Sequence, residues 1–392
     1  MRRVAIVGVG MTQFGKQPGR GLRSLSVEAT ERAYRSAGLA FTDTDRVYFG
    51  NAIAPTVLQQ DMIKGQVAFR DHPLGHLPLI NVENACASGG AAFLLAVEAV
   101  ASGCAEVVLA LGVEQMFHAD RTRAFNALRG STDIDDIGEA EPGVESTNSI
   151  LMDYYAQVAQ SYLDDYGATP EDFARIAVKN RDNATRNPLA QMRTPQTIED
   201  VLNGRMIAPP LTLAMCSPMT DGAAAILVCS EERARGLPAP AIIVRACQNA
   251  SGAAGRPVAD AAAKAYEIAG LGAADCDVIE LHDAAAPAEL IQYHEIGLCA
   301  EGEGFVLARE GLTQPAGPHP VNISGGLLSR GHALGATGCA QLCELILQLR
   351  GEAGDRQIDK ARIGMAVNGG GWLDGSYALA IATILEREGS SR

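Results

Sequence analysis

Two stretches of this chain repeat one another at long range. Residues 33–50 read AYRSAGLAFTDTDRVYFG, and residues 265–282 read AYEIAGLGAADCDVIELH. They align without a gap: Ala33-Tyr34 falls on Ala265-Tyr266, and Ala37-Gly38-Leu39 on Ala269-Gly270-Leu271. Each copy reads as a helix closing on Gly-Leu, a turn containing Asp, then a short apolar strand. The match continues with small gaps. Met1–Gly15 resembles Pro240–Gly255, and Asn81-Val82 resembles Asn322-Ile323, each followed by a helix start rich in small residues. Repetition on this scale predicts two copies of one α/β unit. A helix over Ser88–Ala101 should run into a strand at Val107–Leu111, and a helix over Thr337–Leu349 into a strand at Arg362–Val367. The expected halves are residues 1–237 and 238–392, joined through the Pro-bearing stretch Arg235–Pro240. The first half carries an excess segment, roughly residues 117–213, the most charged part of the chain. Helices at Ser149–Tyr166 and Pro170–Asn187 are expected in it, as an inserted subdomain that covers a site.

Composition excludes several classes. Hydrophobic residues make up 47% of the 392 and charged residues 20%, so a core can form and disorder cannot dominate. Basic and acidic residues number 32 and 46, so 32 − 46 = −14; a general nucleic-acid or anionic-membrane surface is not expected. Nine scattered Cys are too few for a disulfide scaffold and point to a reducing, cytoplasmic setting. No apolar run approaches the about 18 residues of a membrane span. The chain enters a strand at Arg3–Val7, leaving no room for a leader, and Gly389–Arg392 reads as a loose tail without a lipidation signal.

Four segments carry chemistry. In Asn84-Ala85-Cys86-Ala87-Ser88-Gly89-Gly90, Cys86 sits at or near a helix N-terminus, where the dipole and free N–H groups favour a thiolate. A buried packing Cys is the other reading. Gly331-His332-Ala333-Leu334-Gly335-Ala336-Thr337-Gly338 occupies the equivalent place in the second half, so a pseudo-twofold would bring both helix starts to one centre. A His beside a Cys can take its proton and return it; a satisfied turn His is the alternative. In Glu280-Leu281-His282-Asp283-Ala284-Ala285-Ala286-Pro287, His282 ends a strand, where α/β folds place ligands. It is a candidate oxyanion donor or acid/base, or else a loop His. Val367-Asn368-Gly369-Gly370-Gly371-Trp372 offers free backbone N–H groups after a buried strand, or simply a turn.

His72, His76, His118, His294 and His319 have no comparable context. Cys104, Cys216, Cys229, Cys247, Cys276, Cys339 and Cys343 show no metal spacing and read as packing residues, with Cys299 less settled; no metal site is expected. Gly8-Val9-Gly10 is only a fragment of a dinucleotide fingerprint.

Together the four segments resemble the thiolase superfamily over essentially the whole chain. GHALGATG looks like the family's GHPxGATG, with Ala333 where Pro is usual; NACASGG looks like its nucleophile segment and SPMTDGAAAILVCS like its DGAAA strand. HDAAAPAE looks like the HDCF-type segment of sterol-carrier-protein-type thiolases. The resemblance implies a thiolase fold, a five-layer αβαβα sandwich, usually dimeric, acting on acyl-CoA. Cys86 would accept the acyl group, His332 would activate it, and His282 would complete an oxyanion hole. The N–H of Cys86 and that of Gly369 or Gly370 would form the other, with Asn322 and Asn368 assigned to substrate binding. CoA is the expected co-substrate with no bound cofactor, and the inserted segment would carry the CoA-binding loops. Basic Lys179, Arg181, Arg186 and Arg193 there could meet phosphates, though a solvated helix face is the plainer reading.

Two departures stand out. The C-terminal thiol of ordinary thiolases is replaced by Val367 or Asn368, and the HDCF thiol by Ala284. His282, His332, a water or Cys299 would then protonate the departing enolate. The expected reaction is thiolytic, retro-Claisen cleavage of a 3-ketoacyl-CoA, branched or aromatic (benzoylsuccinyl-CoA-like). The alternatives are a retro-aldol lyase on a 3-hydroxyacyl-CoA and a non-catalytic acyl-CoA-binding subunit. Members of the subgroup often work with a small zinc-ribbon/OB-fold partner chain.

Overall fold

The computed structural model describes residues 2–137, 149–253 and 255–389. Residues 138–148 of the expected insertion and the C-terminal tail beyond Gly389 lie outside the described residues.

The first half contributes β1 (Val4–Met11), α1 (Leu22–Ala37), β2 (Arg46–Gly50), β3 (Leu79–Val82), α2 (Ser88–Ala101), β4 (Val107–Glu114) and β5 (Gly222–Ser230). Between β4 and β5 lie α3 (Thr122–Arg129), α4 (Ile150–Tyr166) and α5 (Pro170–Thr185). The second half contributes β6 (Ile242–Ser251), α6 (Pro257–Ala269), β7 (Val278–Glu280), α7 (Ala286–Glu295), α8 (Thr337–Arg350), β8 (Ile363–Gly370) and β9 (Leu379–Arg387).

The strand order is β3-β2-β4-β5-β1-β6-β9-β8-β7. Within it the first half reads 3-2-4-5-1 in chain order. β5 runs antiparallel to both neighbours, with Val4 opposite Ser230 and Val107 opposite Cys229. The second half repeats the pattern. β9 is antiparallel to β6 and β8, β7 is parallel to β8, and Ile279 bridges Val321 in the place β3 holds in the first half. The halves meet at β1 and β6, where Ala5 faces Ile243 and Ile6 faces Ile242.

Period-two alternation converts this order into layers. On β1, Ala5 and Val7 face a core shared with α1, whereas Val4 and Ile6 face a second core containing α2 and α8. On β9, Ile381 and Leu385 face that same central core, and Ala380, Ala382 and Ile384 face a third one with α6. The sequence of layers is α1, sheet, α2 with α8, sheet, α6: five, as the sequence led one to expect.

The central helices approach without side chains between their starts. A Cβ on Gly89 would stand 2.6 Å from the carbonyl oxygen of Gly335. The small residues of both motifs therefore let the two helix starts touch, which places Cys86 and His332 together. The strand before Trp372 differs from expectation. It continues through the glycines, pairing Gly369 with Ala380 and Gly370 with Leu379. Only Gly371, at φ 65°, turns out of it.

Candidate active site

Cys86 lies in a single 3-10 turn, Ala85–Ala87, immediately before α2. Ala85 holds φ 48°, a left-handed conformation that a residue with a Cβ adopts only when its surroundings enforce it. His332 arrives from the Gly-rich turn before α8, and His282 follows β7. The Sγ of Cys86 and one ring nitrogen from each histidine lie within 4.8 Å of one another, and all three residues are buried. The two imidazoles meet edge to face, with centroids 5.1 Å apart.

The hydrogen-bond network assigns a tautomer to each ring. With Thr337 Oγ1 donating to the carbonyl of Ala333 at 3.1 Å, its 2.7 Å contact with His332 Nδ1 takes Nδ1–H as donor. Nε2 of His332 is left with a lone pair. Asn368 Nδ2 donates to the carbonyl of Cys86 at 3.2 Å and to His282 Nδ1 at 3.2 Å. His282 therefore carries its proton on Nε2. One histidine is a base and the other a donor. Asn368 Oδ1 faces Gly90 and Gly338, where added Cβ atoms would stand 2.6 and 2.3 Å away.

His282 is clamped by its backbone. Its N–H donates to Gln292 Oε1 at 3.0 Å, and its carbonyl accepts from Gln292 Nε2 at 2.9 Å and Tyr377 Oη at 3.2 Å. Tyr155 Oη, from α4, donates to Tyr377 Oη.

Burial dominates the charge state of the site. It pushes the Cys86 thiol up to about 12, with Glu114 adding to the rise. The N–H groups of Cys86 and Gly371 pull the other way without prevailing. The thiolate favoured on sequence grounds is thus not the resting form. Burial, with Arg330 behind it, takes His282 down to about 3, and holds His332 well below its ordinary value with His282 and Arg330 contributing. The resting state is a neutral thiol beside two neutral imidazoles.

All three side chains open on one cavity of about 480 Å³. Its walls draw on the segment between β4 and β5, including Phe125, Met152, Tyr155 and Arg181.

Several site expectations need correction. Gly369 does not line the cavity; Gly370 does, at the end of the strand, and the N–H that faces the Cys86 sulfur is that of Gly371. Asn322 does not line the cavity: its Oδ1 accepts from Leu281 N and its Nδ2 donates to Glu289, so it supports the strand end before His282. Asn368 is likewise behind the cavity wall, acting on His282 and Cys86 rather than on a ligand. Lys179 and Arg181 are not on a solvated face; both are buried, and Lys179 pairs with Glu289. Cys299 is outside the cavity, whereas Cys216, read as packing, lines it and is bridged to Ala285, the neighbour of Ala284. Gln292, Tyr155 and Tyr377 carry no motif signal, because each acts through a nonlocal contact; Thr337 lies within the GHALGATG segment, five residues after the histidine it touches.

The site and fold define a thiolase-class acyl-transfer enzyme. The family model described as thiolase, N-terminal domain, matches residues 4–198, and that described as thiolase C-terminal domain-like matches 244–385. The chain belongs to the thiolase family. An acetyl-CoA acetyltransferase of Methanothermobacter thermautotrophicus is 39% identical over 95% of this chain and 97% of its own. The benzoylsuccinyl-CoA thiolase subunit BbsB of Thauera aromatica is 36% identical over 94% and 95%. Human sterol carrier protein 2 is 34% identical, covering 94% of this chain and 70% of that protein. A solved structure described as the Ltp2-ChsH2(DUF35) aldolase superposes with a TM-score of 0.80 at 27% identity, covering 99% of both chains. No helix among the described residues is long and apolar enough to cross a membrane.

Proposed function

We propose that the chain cleaves a 3-ketoacyl-CoA by thiolysis through an acyl-Cys86 intermediate. The observation that carries this reading is the convergence of Cys86, His282 and His332, in complementary tautomers, on one cavity.

The neutral thiol attacks the 3-keto carbon as its proton passes to His332 Nε2. The developing oxyanion is met by His282 Nε2–H, and the N–H groups of Cys86 and Gly371 are the backbone donors at the nucleophile. Collapse breaks the bond between the 2- and 3-carbons. The leaving enolate of the shorter CoA ester takes a proton at carbon from His332 or from Cys216, the other thiol on the cavity wall. CoA–SH then attacks the thioester, its proton returns to the Cys86 sulfur, and the acyl-CoA departs.

The BbsB relative is named for a branched aromatic substrate, which suits an apolar cavity wall of Phe125, Met152 and Tyr155. The two-component description of the solved neighbour supports a companion chain for this one. Retro-aldol cleavage is the second reading, favoured by that neighbour's being an aldolase.

Intact-mass analysis after mixing with acyl-CoA and 3-ketoacyl-CoA esters tests the reading. An adduct mapped to Cys86 and lost in Cys86→Ala is expected. Aldehyde or ketone release from a 3-hydroxyacyl-CoA, with turnover surviving in Cys86→Ala, would replace thiolysis by the lyase.

A further inference from the structure

The buried cations of the inserted segment are not alike. Lys179 has Glu289, with further contacts to Val321 O and Tyr293 Oη. Arg181, two residues on along α5, is only 5% exposed and has no carboxylate within ion-pair reach among the described residues. Its Nε donates to Ser329 Oγ at 3.0 Å and its Nη1 to the carbonyl of Thr194 at 3.5 Å. A guanidinium carries five N–H donors in a planar fork, and these two bonds leave Nη2 unused. The side chain lines the catalytic cavity.

A buried cation without a counter-charge is costly, because it gives up hydration and gains no ion pair. Burial alone acts on this guanidinium, lowering its pKa with no acid to offset it. No described residue supplies the compensating charge, and an anionic group on whatever fills the cavity would supply it. Position says which part of a ligand it meets. Ser329, the partner of Arg181, is three residues before His332. Its carbonyl accepts from Met192 N at 2.9 Å. Next to Met192, Gln191 holds Thr220 Oγ1, and Thr220 Oγ1 accepts the N–H of His332. Arg181 thus belongs to the wall built around the reacting groups. Two other arginines on the cavity, Arg121 and Arg205, are exposed. Hydrated phosphates suit those; a planar fork pairs bidentately with carboxylate or phosphate alike, and the place of Arg181 in the wall around the reacting groups, away from those exposed arginines, points to a carboxylate on the acyl chain.

We propose that Arg181 receives a carboxylate carried on the acyl chain, so that the site selects CoA esters of dicarboxylic acids over monocarboxylic ones. This rests on the acyl-Cys86 reading and specifies its substrate class.

The rate of Cys86 acylation, read by intact-mass spectrometry, tests it with pairs of equal carbon count: succinyl- and butyryl-CoA, glutaryl- and pentanoyl-CoA, adipyl- and hexanoyl-CoA. At the chain length that spans from Cys86 to Arg181, the dicarboxylic ester should react on the order of ten- to a hundredfold faster, the worth of one charge-assisted bond. Arg181→Gln should erase that preference by slowing the dicarboxylic member of each pair more than the monocarboxylic one, and Arg181→Lys should retain part of it. The proposal is overturned if the wild-type chain shows no preference at any length. It is equally overturned if Arg181→Gln slows both members of each pair alike, which is the signature of a contact to CoA phosphate or of a structural role. Acylation by monocarboxylic esters without preference sinks this proposal alone. Absence of any adduct from every ester sinks the acyl-Cys86 reading with it.

Discussion

Thr337 decides what His332 can do. With its hydroxyl proton assigned to the carbonyl of Ala333, it accepts from His332 Nδ1, and Nε2 is thereby kept as the base. Thr337→Val removes that acceptor and frees the other tautomer. Cys86 acylation should slow by about 10- to 100-fold, the usual cost of losing an orienting partner, and Thr337→Ser should restore most of it. Stopped-flow measurement of acylation on both variants checks this. The charge state of Cys86 gives a second expectation. With its thiol pushed up to about 12, the thiolate fraction rises about tenfold per pH unit across the range where an ordinary Cys levels off. Iodoacetamide alkylation of Cys86 should climb without a plateau up to about pH 10. A plateau near neutrality would mean a thiolate–imidazolium pair instead. Cys216 separates the two halves of the chemistry. Simple acyl transfer from an acyl-CoA needs no proton at carbon, whereas cleavage of a 3-ketoacyl-CoA does. If Cys216 supplies it, Cys216→Ala should lower cleavage by about 10²-fold and leave acylation by a plain acyl-CoA unchanged. Equal loss of both would assign Cys216 to packing.

At the scale of elements, Glu114 ties three of them together. At the end of β4 it accepts from Asn51 Nδ2 and Ala52 N, at the turn after β2, and from Gly335 N, at the turn before α8. It is fully buried, and burial raises it to about 7 despite those donors and Lys64. Glu114→Gln presents an NH2 group to a cradle made of donors. It should cost about 1–3 kcal/mol in urea unfolding, because at least one buried donor loses its acceptor. Much at this level was legible beforehand. The helix over Ser88–Ala101 was readable from its small, helix-forming run, and the duplication from matched Gly-Leu helix ends, because both are local patterns. The glycine run after Val367 was not. Local propensity marks three glycines as a turn, but pairing with Leu379 and Ala380 on the next strand extends β8 through two of them. Asn322 and Asn368 were placed by adjacency to motifs, and adjacency carries no information on side-chain direction. Each turned its amide inward to hold a neighbour's backbone. Cys216 and Cys299 were misjudged for the same reason: what decides between them is which one the fold sets beside Ala284.

The whole molecule depends on bringing the halves to one centre, and Arg330 shows how electrostatics enter that assembly. It is fully buried two residues before His332, its guanidinium lies over the Phe14 ring of the first half at 5.8 Å, and its Nη1 stands 3.4 Å from Glu280 of the second. Its charge helps keep both active-site histidines neutral. Glu280 also accepts from Ser324 N and Oγ, yet burial leaves its carboxyl above the ordinary range, with Arg330 pulling it back. Removing the cation alone leaves a buried acid without its partner. Arg330→Met should therefore destabilise the chain by about 3–5 kcal/mol in urea unfolding near neutral pH. The pH dependence has a definite sign. Loss of Arg330 raises the folded pKa of Glu280 further. A group whose folded pKa is raised contributes stability at low pH that is lost as the pH climbs through that value. Mutant and wild type are most alike where both hold the proton, so the deficit should be smaller at about pH 5 than at about pH 9. Arg330→Met combined with Glu280→Gln removes the charge while preserving hydrogen bonding to Ser324. It should recover more than half of the loss and flatten the pH dependence. If the double variant is instead as unstable as the single one at every pH, the role of Arg330 is packing against Phe14, and the halves are joined there by shape rather than by charge.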